Sequence, residues 1–113
     1  MNGQAEAMLT NTDLLQSAVD GIQKRGGAKL GDKTLLDALI PAVESLKNSS
    51  ELGEDLLEAM KKSAAEAVIG AEKTKDIAAT KGRASYLGER SVSHPDAGAT
   101  AIGIIFTSIV EKI

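Results

Sequence analysis

The chain has 113 residues, enough for one hydrophobic core, and a net charge of −3, which argues against a general nucleic-acid binder with a basic face. It contains no cysteine, which excludes disulfides, thiolate zinc sites and cysteine nucleophiles; one tyrosine and one phenylalanine disfavour a small β-sandwich or barrel. No secretory signal opens the sequence and no apolar stretch approaches 18 residues, so we expect a cytoplasmic protein without a membrane span.

The first helix is predicted to begin at Thr12, a good N-cap residue followed by an acidic residue, and residues 1–11 are expected to be irregular. Apolar residues then recur at a spacing of three or four along one helical face: Leu14, Leu15, Ala18, Val19 and Ile22. Two basic residues and two glycines at 24–27 predict the end of this helix.

The second helix is predicted to begin around Asp32, after Gly31, and to close at 48–50, where the sequence reads Asn-Ser-Ser. Its apolar stripe consists of Leu35, Leu36, Leu39, Ile40, Val43 and Leu46. Pro41 lies inside this pattern and has no N–H group, so we expect it to kink the helix or to break it locally.

The third and longest apolar pattern predicts an amphipathic helix from about Gly53 to Ala79. Residues 80–98 have no apolar repeat, and a connection of this length inside a compact domain is usually functional or disordered. A last helix should follow, with one face formed by Ile102, Ile105, Phe106, Ile109 and Ile113. The predicted fold class is therefore all-α, with about four antiparallel amphipathic helices and no strands.

The glycine-rich segment 26–34 invites comparison with a P-loop, which requires Gly-Lys-Thr directly and a preceding strand. Here Asp32 separates the glycine from the lysine, and the preceding segment has a helical pattern. We reject the P-loop, and a turn between two helices is the simpler interpretation.

The only histidine, His94, lies in a polar segment, where a solvated or hydrogen-bonded side chain is the usual role. A triad built from Ser91 or Ser93, His94 and Asp96 is disfavoured, since such close neighbours rarely meet in triad geometry. Neither paired histidines nor clustered carboxylates at metal-ligand spacing occur, so the sequence specifies no metal site and no catalytic residue.

Arg83 and Arg90 lie among glycines, and an arginine suits a phosphate because its planar fork forms two charge-assisted hydrogen bonds. Surface arginines paired with Glu89 would look the same. Asp96 precedes the last helix, where backbone N–H groups could bind an anion, yet its own charge would repel one. Asp96 is then a helix cap, a contact to a ribose or amide, or a group acting through a cation; the sequence leaves these open.

Two longer strings resemble the nucleotide-binding subunit, or the equivalent domain, of dihydroxyacetone kinases. The first string combines Lys81-Gly82-Arg83-Ala84-Ser85-Tyr86-Leu87-Gly88-Glu89-Arg90-Ser91 with His94-Pro95-Asp96-Ala97-Gly98-Ala99-Thr100. The second combines Asp20-Gly21-Ile22-Gln23-Lys24-Arg25-Gly26 with Gly31-Asp32-Lys33-Thr34-Leu35-Leu36-Asp37 and Pro41-Ala42-Val43-Glu44-Ser45-Leu46. The resemblance extends from about Asp13 to the end, and it departs from the family where Pro95 precedes the aspartate instead of following it.

The resemblance implies that residues 1–113 form one partial domain, the C-terminal half of a barrel of eight antiparallel helices with the nucleotide at one end. It implies that Gly26 and Leu35 border the adenine and that Arg83 reaches the phosphates of ADP or ATP. Asp96, Ala97 and Gly98 would line the edge of the nucleotide. His94 keeps a structural role in this interpretation.

The family's magnesium-binding aspartates, in a Gly-Asp-x-Asp-His-Gly type motif, and its Gly-Gly-Ala-Ser phosphate cradle are absent from this sequence. We therefore expect this chain to bind nucleotide weakly or not at all and to be inactive alone, because phosphoryl transfer depends on metal ions that neutralise charge. Half a barrel leaves an apolar face open, which predicts a collapsed four-helix bundle or a homo-oligomer.

The expected partner is the subunit or domain that binds dihydroxyacetone, and a phosphocarrier protein is a further candidate. Whether ATP is the substrate or ADP is a permanently bound relay is left open. The alternative hypothesis is a non-catalytic helical module, with an interaction or regulatory role, derived from the same family.

Overall fold

The computed structural model describes residues 3–77 and 94–112, with side chains from residue 12 onward. Within these residues the elements are α1 (Gly3–Gly26), α2 (Leu36–Glu51), α3 (Leu56–Lys73), a 3-10 turn (Thr74–Asp76) and α4 (Ala97–Lys112). The described part contains no strand, which confirms the all-α prediction. None of its helices combines the length and the apolar character that crossing a membrane requires.

Consecutive helices run antiparallel, as predicted. The Ser63 hydroxyl of α3 donates to the Ala42 carbonyl of α2 at 2.9 Å, whereas the end of α3 meets the start of α2 near Asp37. In the same way, Gly103 of α4 packs against Val68 of α3. The C-termini of α1 and α3 therefore lie at the same end of the bundle as the N-termini of α2 and α4.

Helices α2 and α3 approach each other closely at Gly70. A Cβ atom built on Gly70 would lie 2.1 Å from the carbonyl oxygen of Asp37 and 3.1 Å from the Cα atom of Ala38. In a helix that oxygen accepts from the N–H four residues later, but Pro41 has none. The proline thus exposes the carbonyl of Asp37 towards α3, where glycine gives it room.

The core is aliphatic and rich in alanine, as the composition predicts. Its buried apolar residues are Val19, Ala28, Leu36, Ala38, Leu39, Ala42, Val43, Leu46, Ala59, Ala64, Ala67, Ala71, Ala99 and Phe106. Alanines on the facing sides of α2 and α3 let the backbones approach closely, and dense packing of this kind makes cores sensitive to added volume. The fold therefore depends on small side chains at the helix contacts.

The prediction for the start of α1 is wrong. The helix begins at Gly3, and Thr12 is a buried residue in its interior rather than an N-cap. The residues before Thr12 include alanine, glutamate, glutamine, methionine and leucine, which favour helix, and this propensity outweighs the capping signal. The predicted end at 24–27 is confirmed, since α1 ends at Gly26 and Gly27 adopts a φ of 66°.

The predicted start of α2 at Asp32 is also wrong, since the helix begins at Leu36 after a loop. Helical geometry continues through Pro41 to Glu51, so the proline does not break the helix. The predicted local break is therefore wrong: Pro41 is the sixth residue of α2 and removes one interior hydrogen bond, and the helix continues without it.

The third helix begins at Leu56, later than the predicted Gly53, because Asp55 is its N-cap and accepts the Glu58 N–H at 2.9 Å. Gly53 has a φ of 71° and belongs to the preceding turn. The α-helix ends at Lys73. The predicted continuation to Ala79 is wrong, because a 3-10 turn follows the helix and Ile77 already has an extended backbone. Of the predicted loop from 80 to 98, residues 80–93 lie outside the described residues.

The predicted apolar face of α4 is correct for Phe106 and for Ile102, which packs against the core, and wrong for two isoleucines. Ile105 and Ile109 are 51% and 42% exposed, and Ile104, outside the predicted face, is 61% exposed. Helix α4 instead buries Ala99, Gly103 and Phe106, because the glycine lets it pack against α3 at this register. Ile113 lies outside the described residues.

Candidate functional site

Most of the residues predicted to contact a nucleotide lie at one end of the bundle. This end, called the loop end below, is formed by residues 26–36, 73–77 and 94–99. The structure places there the C-terminus of α1 and the N-termini of α2 and α4, with the predicted residues Gly26, Leu35, Asp96, Ala97 and Gly98. Arg83 lies outside the described residues, and its predicted contact with the phosphates stays a prediction.

The connection between α1 and α2 is held by the carboxylate of Asp37. Its Oδ1 atom accepts the Gly31 N–H at 2.7 Å and its Oδ2 atom accepts the Thr34 N–H at 2.9 Å. The Thr34 hydroxyl in turn accepts the Leu36 N–H at 3.2 Å. The side chains of Thr34 and Asp37 therefore fix the loop to the start of α2 in an arrangement similar to a capping box, although the N-cap residue itself is Leu35.

The same loop contains Lys33, which adopts a left-handed backbone with a φ of 61° and is only 2% exposed. Its Nζ atom donates to the carbonyl oxygen of His94 at 2.5 Å. The side chain of His94 is exposed, and the carbonyl group of its backbone accepts the hydrogen bond from Lys33. Lys33 thus joins two segments that are far apart in the sequence.

A second hydrogen bond fixes the segment before α4 to the end of α3. The Asp96 N–H donates to the Thr74 hydroxyl at 2.8 Å, and that hydroxyl donates to the Ala71 carbonyl at 2.5 Å. Thr74 is fully buried. The Asp96 carboxylate accepts the Ala99 N–H at 2.9 Å, so this residue is the N-cap of α4, the first of the three roles considered for it.

Two of the predicted residues come into contact across the loop end. A Cβ atom built on Gly98 would lie 3.2 Å from the Cβ atom of Leu35 and 3.1 Å from a carboxylate oxygen of Asp96. Leu35 is half-buried and packs on the core. By contrast, Gly26 and Ala97 are exposed and share the end without a described contact to the other predicted residues. The predicted residues before α2 and before α4 therefore form one surface.

The described clefts do not coincide with this surface. A cleft of about 250 Å³ at the loop end is lined by Leu30, Gly31, Ile69, Lys73 and Ile77 among others, and by none of the predicted residues. A larger groove of about 530 Å³ between α2 and α3 includes residues of the opposite end. The predicted residues therefore lie outside both of these clefts.

The described part of the loop end offers no group of metal ligands. In that part of the chain no three histidine, aspartate or glutamate side chains are grouped to hold a metal ion. The Glu72 carboxylate, which accepts from the Nζ atom of Lys75 at 2.5 Å, raises the pKa of this lysine.

Sequence reasoning missed Lys33, Asp37 and Thr74. The pattern Thr34-x-x-Asp37 is a signal for a capping box and could have placed the start of α2 correctly. No local pattern indicates that Lys33 is buried or that Thr74 accepts from Asp96, because both contacts depend on how distant segments pack.

The family model of the DAK2 domain matches residues 2–111 of the chain. The PEP-dependent dihydroxyacetone kinase ADP-binding subunit DhaL of Escherichia coli is 44% identical over 102 residues, covering 88% of this chain and 49% of the relative. The PTS-dependent dihydroxyacetone kinase ADP-binding subunit DhaL of Lactococcus lactis is 34% identical, covering 100% and 53%. The rat triokinase/FMN cyclase is 35% identical, covering 100% and 21%. The chain spans about half the length of these bacterial relatives.

Proposed function

The chain belongs to the DAK2 domain family, and on this basis we propose that it forms the C-terminal half of the ADP-binding domain of a dihydroxyacetone kinase. The observation that carries the proposal is the convergence at the loop end, where Leu35 and Gly98 come together from positions 63 residues apart. Such a surface at the end of a helical bundle is what an end-bound nucleotide requires.

In this proposal the nucleotide lies against the loop end. Gly26 and Leu35 border the adenine, Arg83 binds the phosphates, and Asp96, Ala97 and Gly98 line the nucleotide edge. The exposed position of Gly26 and the close packing at Gly98 support these roles, since glycine lets backbone or ligand approach where a side chain would intrude.

The proposed reaction is phosphoryl transfer to dihydroxyacetone held by a partner subunit or domain. In this proposal magnesium accompanies the ADP or ATP, and its carboxylate ligands belong to the other half of the domain, because this sequence lacks the family's aspartate motif. The 113 residues alone accordingly bind nucleotide weakly and are inactive. Either ATP is the substrate, or bound ADP is a relay recharged by a phosphocarrier protein. The exposed isoleucines of α4 support self-association of the isolated chain.

The test joins this chain to the part of the Escherichia coli relative that it does not match and supplies the remaining subunits of that kinase. The fusion should bind ADP with magnesium and phosphorylate dihydroxyacetone, whereas the 113 residues alone should do neither in calorimetry and turnover assays. Arg83→Ala should abolish turnover. Lys62→Ala is the matched control, because it removes a cation that pairs with Glu54 away from the loop end.

Tight magnesium–ADP binding by the 113 residues alone would contradict the division of the site between two halves. A fusion that folds but never binds ADP would contradict the nucleotide-binding role itself.

The second candidate is a non-catalytic helical interaction or regulatory module, which the exposed side chains of Ile104, Ile105 and Ile109 favour. A module of this kind would bind the kinase subunits in a pull-down with purified proteins yet leave the fusion inactive. Turnover that is lost in Arg83→Ala and kept in Lys62→Ala excludes it.

A further inference from the structure

The loop end is assembled from two segments that the chain brings together over a long distance. Residues 27–35 connect α1 to α2, and residues 94–96 precede α4. The hydrogen bond from the Nζ atom of Lys33 to the carbonyl oxygen of His94, 2.5 Å long, bridges a sequence separation of 61 residues. The predicted nucleotide contacts Leu35 and Asp96 each lie two residues from one end of this bond.

Lys33 occupies a position that is unfavourable for a lysine in two respects. Its backbone has a φ of 61°, where residues with a side chain are uncommon, and its long side chain is buried although lysines are almost never fully buried. Burial also removes the rotamer freedom of four rotatable bonds. A buried lysine of this kind is retained when its amino group forms a polar contact that the fold needs. Here one of these contacts is with the backbone before α4.

We infer that Lys33 is a positioning residue for the nucleotide site: its amino group fixes the backbone of residues 94–96 against the α1–α2 loop. This inference rests on the proposed function and adds a residue to it. The second hydrogen bond, from Asp96 to Thr74, fixes the same segment to α3 but not to the loop. Lys33 therefore adds a hydrogen bond to the packing of Leu35 against Gly98, which also joins the two edges of the surface.

The experiment first measures backbone amide exchange in the 113-residue chain without nucleotide. Lys33→Met keeps an unbranched side chain out to the ε position and removes the amino group that donates. It should speed exchange of the Asp96 amide by about tenfold, with the Ala59 amide in α3 unchanged, because a local opening leaves distant helices protected. Lys29→Met is the matched control, since it makes the same change at an exposed lysine of the same loop and should leave both amides unchanged.

The second measurement uses the full-length fusion described above and titrates it with ADP. Lys33→Met should raise the Kd for ADP by about tenfold, or about 1.4 kcal/mol, because the backbone of residues 94–96 is no longer fixed before ADP binds. The kcat at saturating nucleotide should fall less than twofold. Lys33→Arg retains a donor and should recover most of the affinity. A variant with weaker binding but unchanged Asp96 exchange would mean that Lys33 contacts the phosphates directly, which would overturn the positioning role.

A third measurement needs no substitution and decides the case if Lys33→Met fails to fold. In the wild-type chain one lysine amino group should give a nitrogen-15 signal whose protons exchange slowly, because it is buried and hydrogen-bonded. Lysine signals that all exchange at the rate of exposed amino groups would overturn the inference. If the fusion binds no ADP, the proposed function fails. The amide exchange of Asp96 and the proton exchange of the lysine amino group still test the role of Lys33 in the loop end.

Discussion

Replacing Gly70 by alanine tests whether the contact between α2 and α3 sets the geometry of the bundle. The new Cβ atom would lie 2.1 Å from the Asp37 carbonyl oxygen and 3.1 Å from the Ala38 Cα atom, and both are backbone atoms that cannot rotate away. The helices must separate by about 1 Å at this point, because close-packed interiors have no free volume to absorb the methyl group.

The expected loss follows from two opposing effects. Overpacking of a core costs about 1–3 kcal/mol, and a clash with helix backbone belongs at the upper end of that range. Alanine is favoured over glycine inside a helix by about 1 kcal/mol, which leaves a net destabilisation of about 2 kcal/mol. For a chain of this size the midpoint of thermal unfolding should fall by about 8 °C.

Urea denaturation followed by circular dichroism measures the change, with two other glycines as controls. Gly21 of α1 has no atom within 4 Å of the position that an added methyl group would take, so Gly21→Ala should stabilise the chain by up to about 1 kcal/mol. Gly103→Ala would bring its methyl group to 3.4 Å from a side-chain atom of Val68 and should be close to neutral. A Gly70→Ala variant as stable as wild type would refute the reasoning, as would equal losses at all three positions.

Three further predictions concern polar contacts. Asp37→Asn should destabilise the chain by about 2 kcal/mol in urea denaturation, because one of two charge-assisted backbone bonds is lost; an unchanged midpoint would contradict this. Asp55→Ala should cost about 1 kcal/mol by removing the cap of α3, and Asp55→Asn much less. The pKa of Lys75, raised above 10.5 by Glu72, should fall in Glu72→Gln when followed by NMR titration. Because the raised pKa belongs to the folded chain, any stability from this pair is present below pH 10.5 and lost above it, so the two proteins should converge in alkali.

The spacing of apolar residues was sufficient to predict an all-α fold and the approximate course of the helices. Helix boundaries were less predictable, because several signals compete locally. Thr12 has the residue type of a cap but lies inside a stretch with good helix propensity, which extends α1 to Gly3. Asp32 has the residue type of a helix start, yet its carboxylate closes a turn with the N–H of Lys29 instead.

Which isoleucines of α4 are buried could not be read from their spacing. The six large apolar side chains of this helix allow more than one buried face. Gly103 selects the observed face because it brings α4 close to α3. The candidate site likewise combines features that the sequence shows with features that depend on how distant segments pack. Glycines and the acidic cap were visible in the sequence, whereas the burial of Lys33 depends on a partner 61 residues away.

The carboxylate of Asp37 accepts hydrogen bonds from two backbone amides of the α1–α2 loop, and the backbone carbonyl of the same residue packs against Gly70. One residue thus sets both the spacing of two helices and the path of the loop. An inserted or deleted residue between Gly31 and Thr34 would detach one amide while the helices stay in place. Changes to the surface at this end should therefore exchange the exposed side chains of Lys29 and Leu30 and keep the residue count constant.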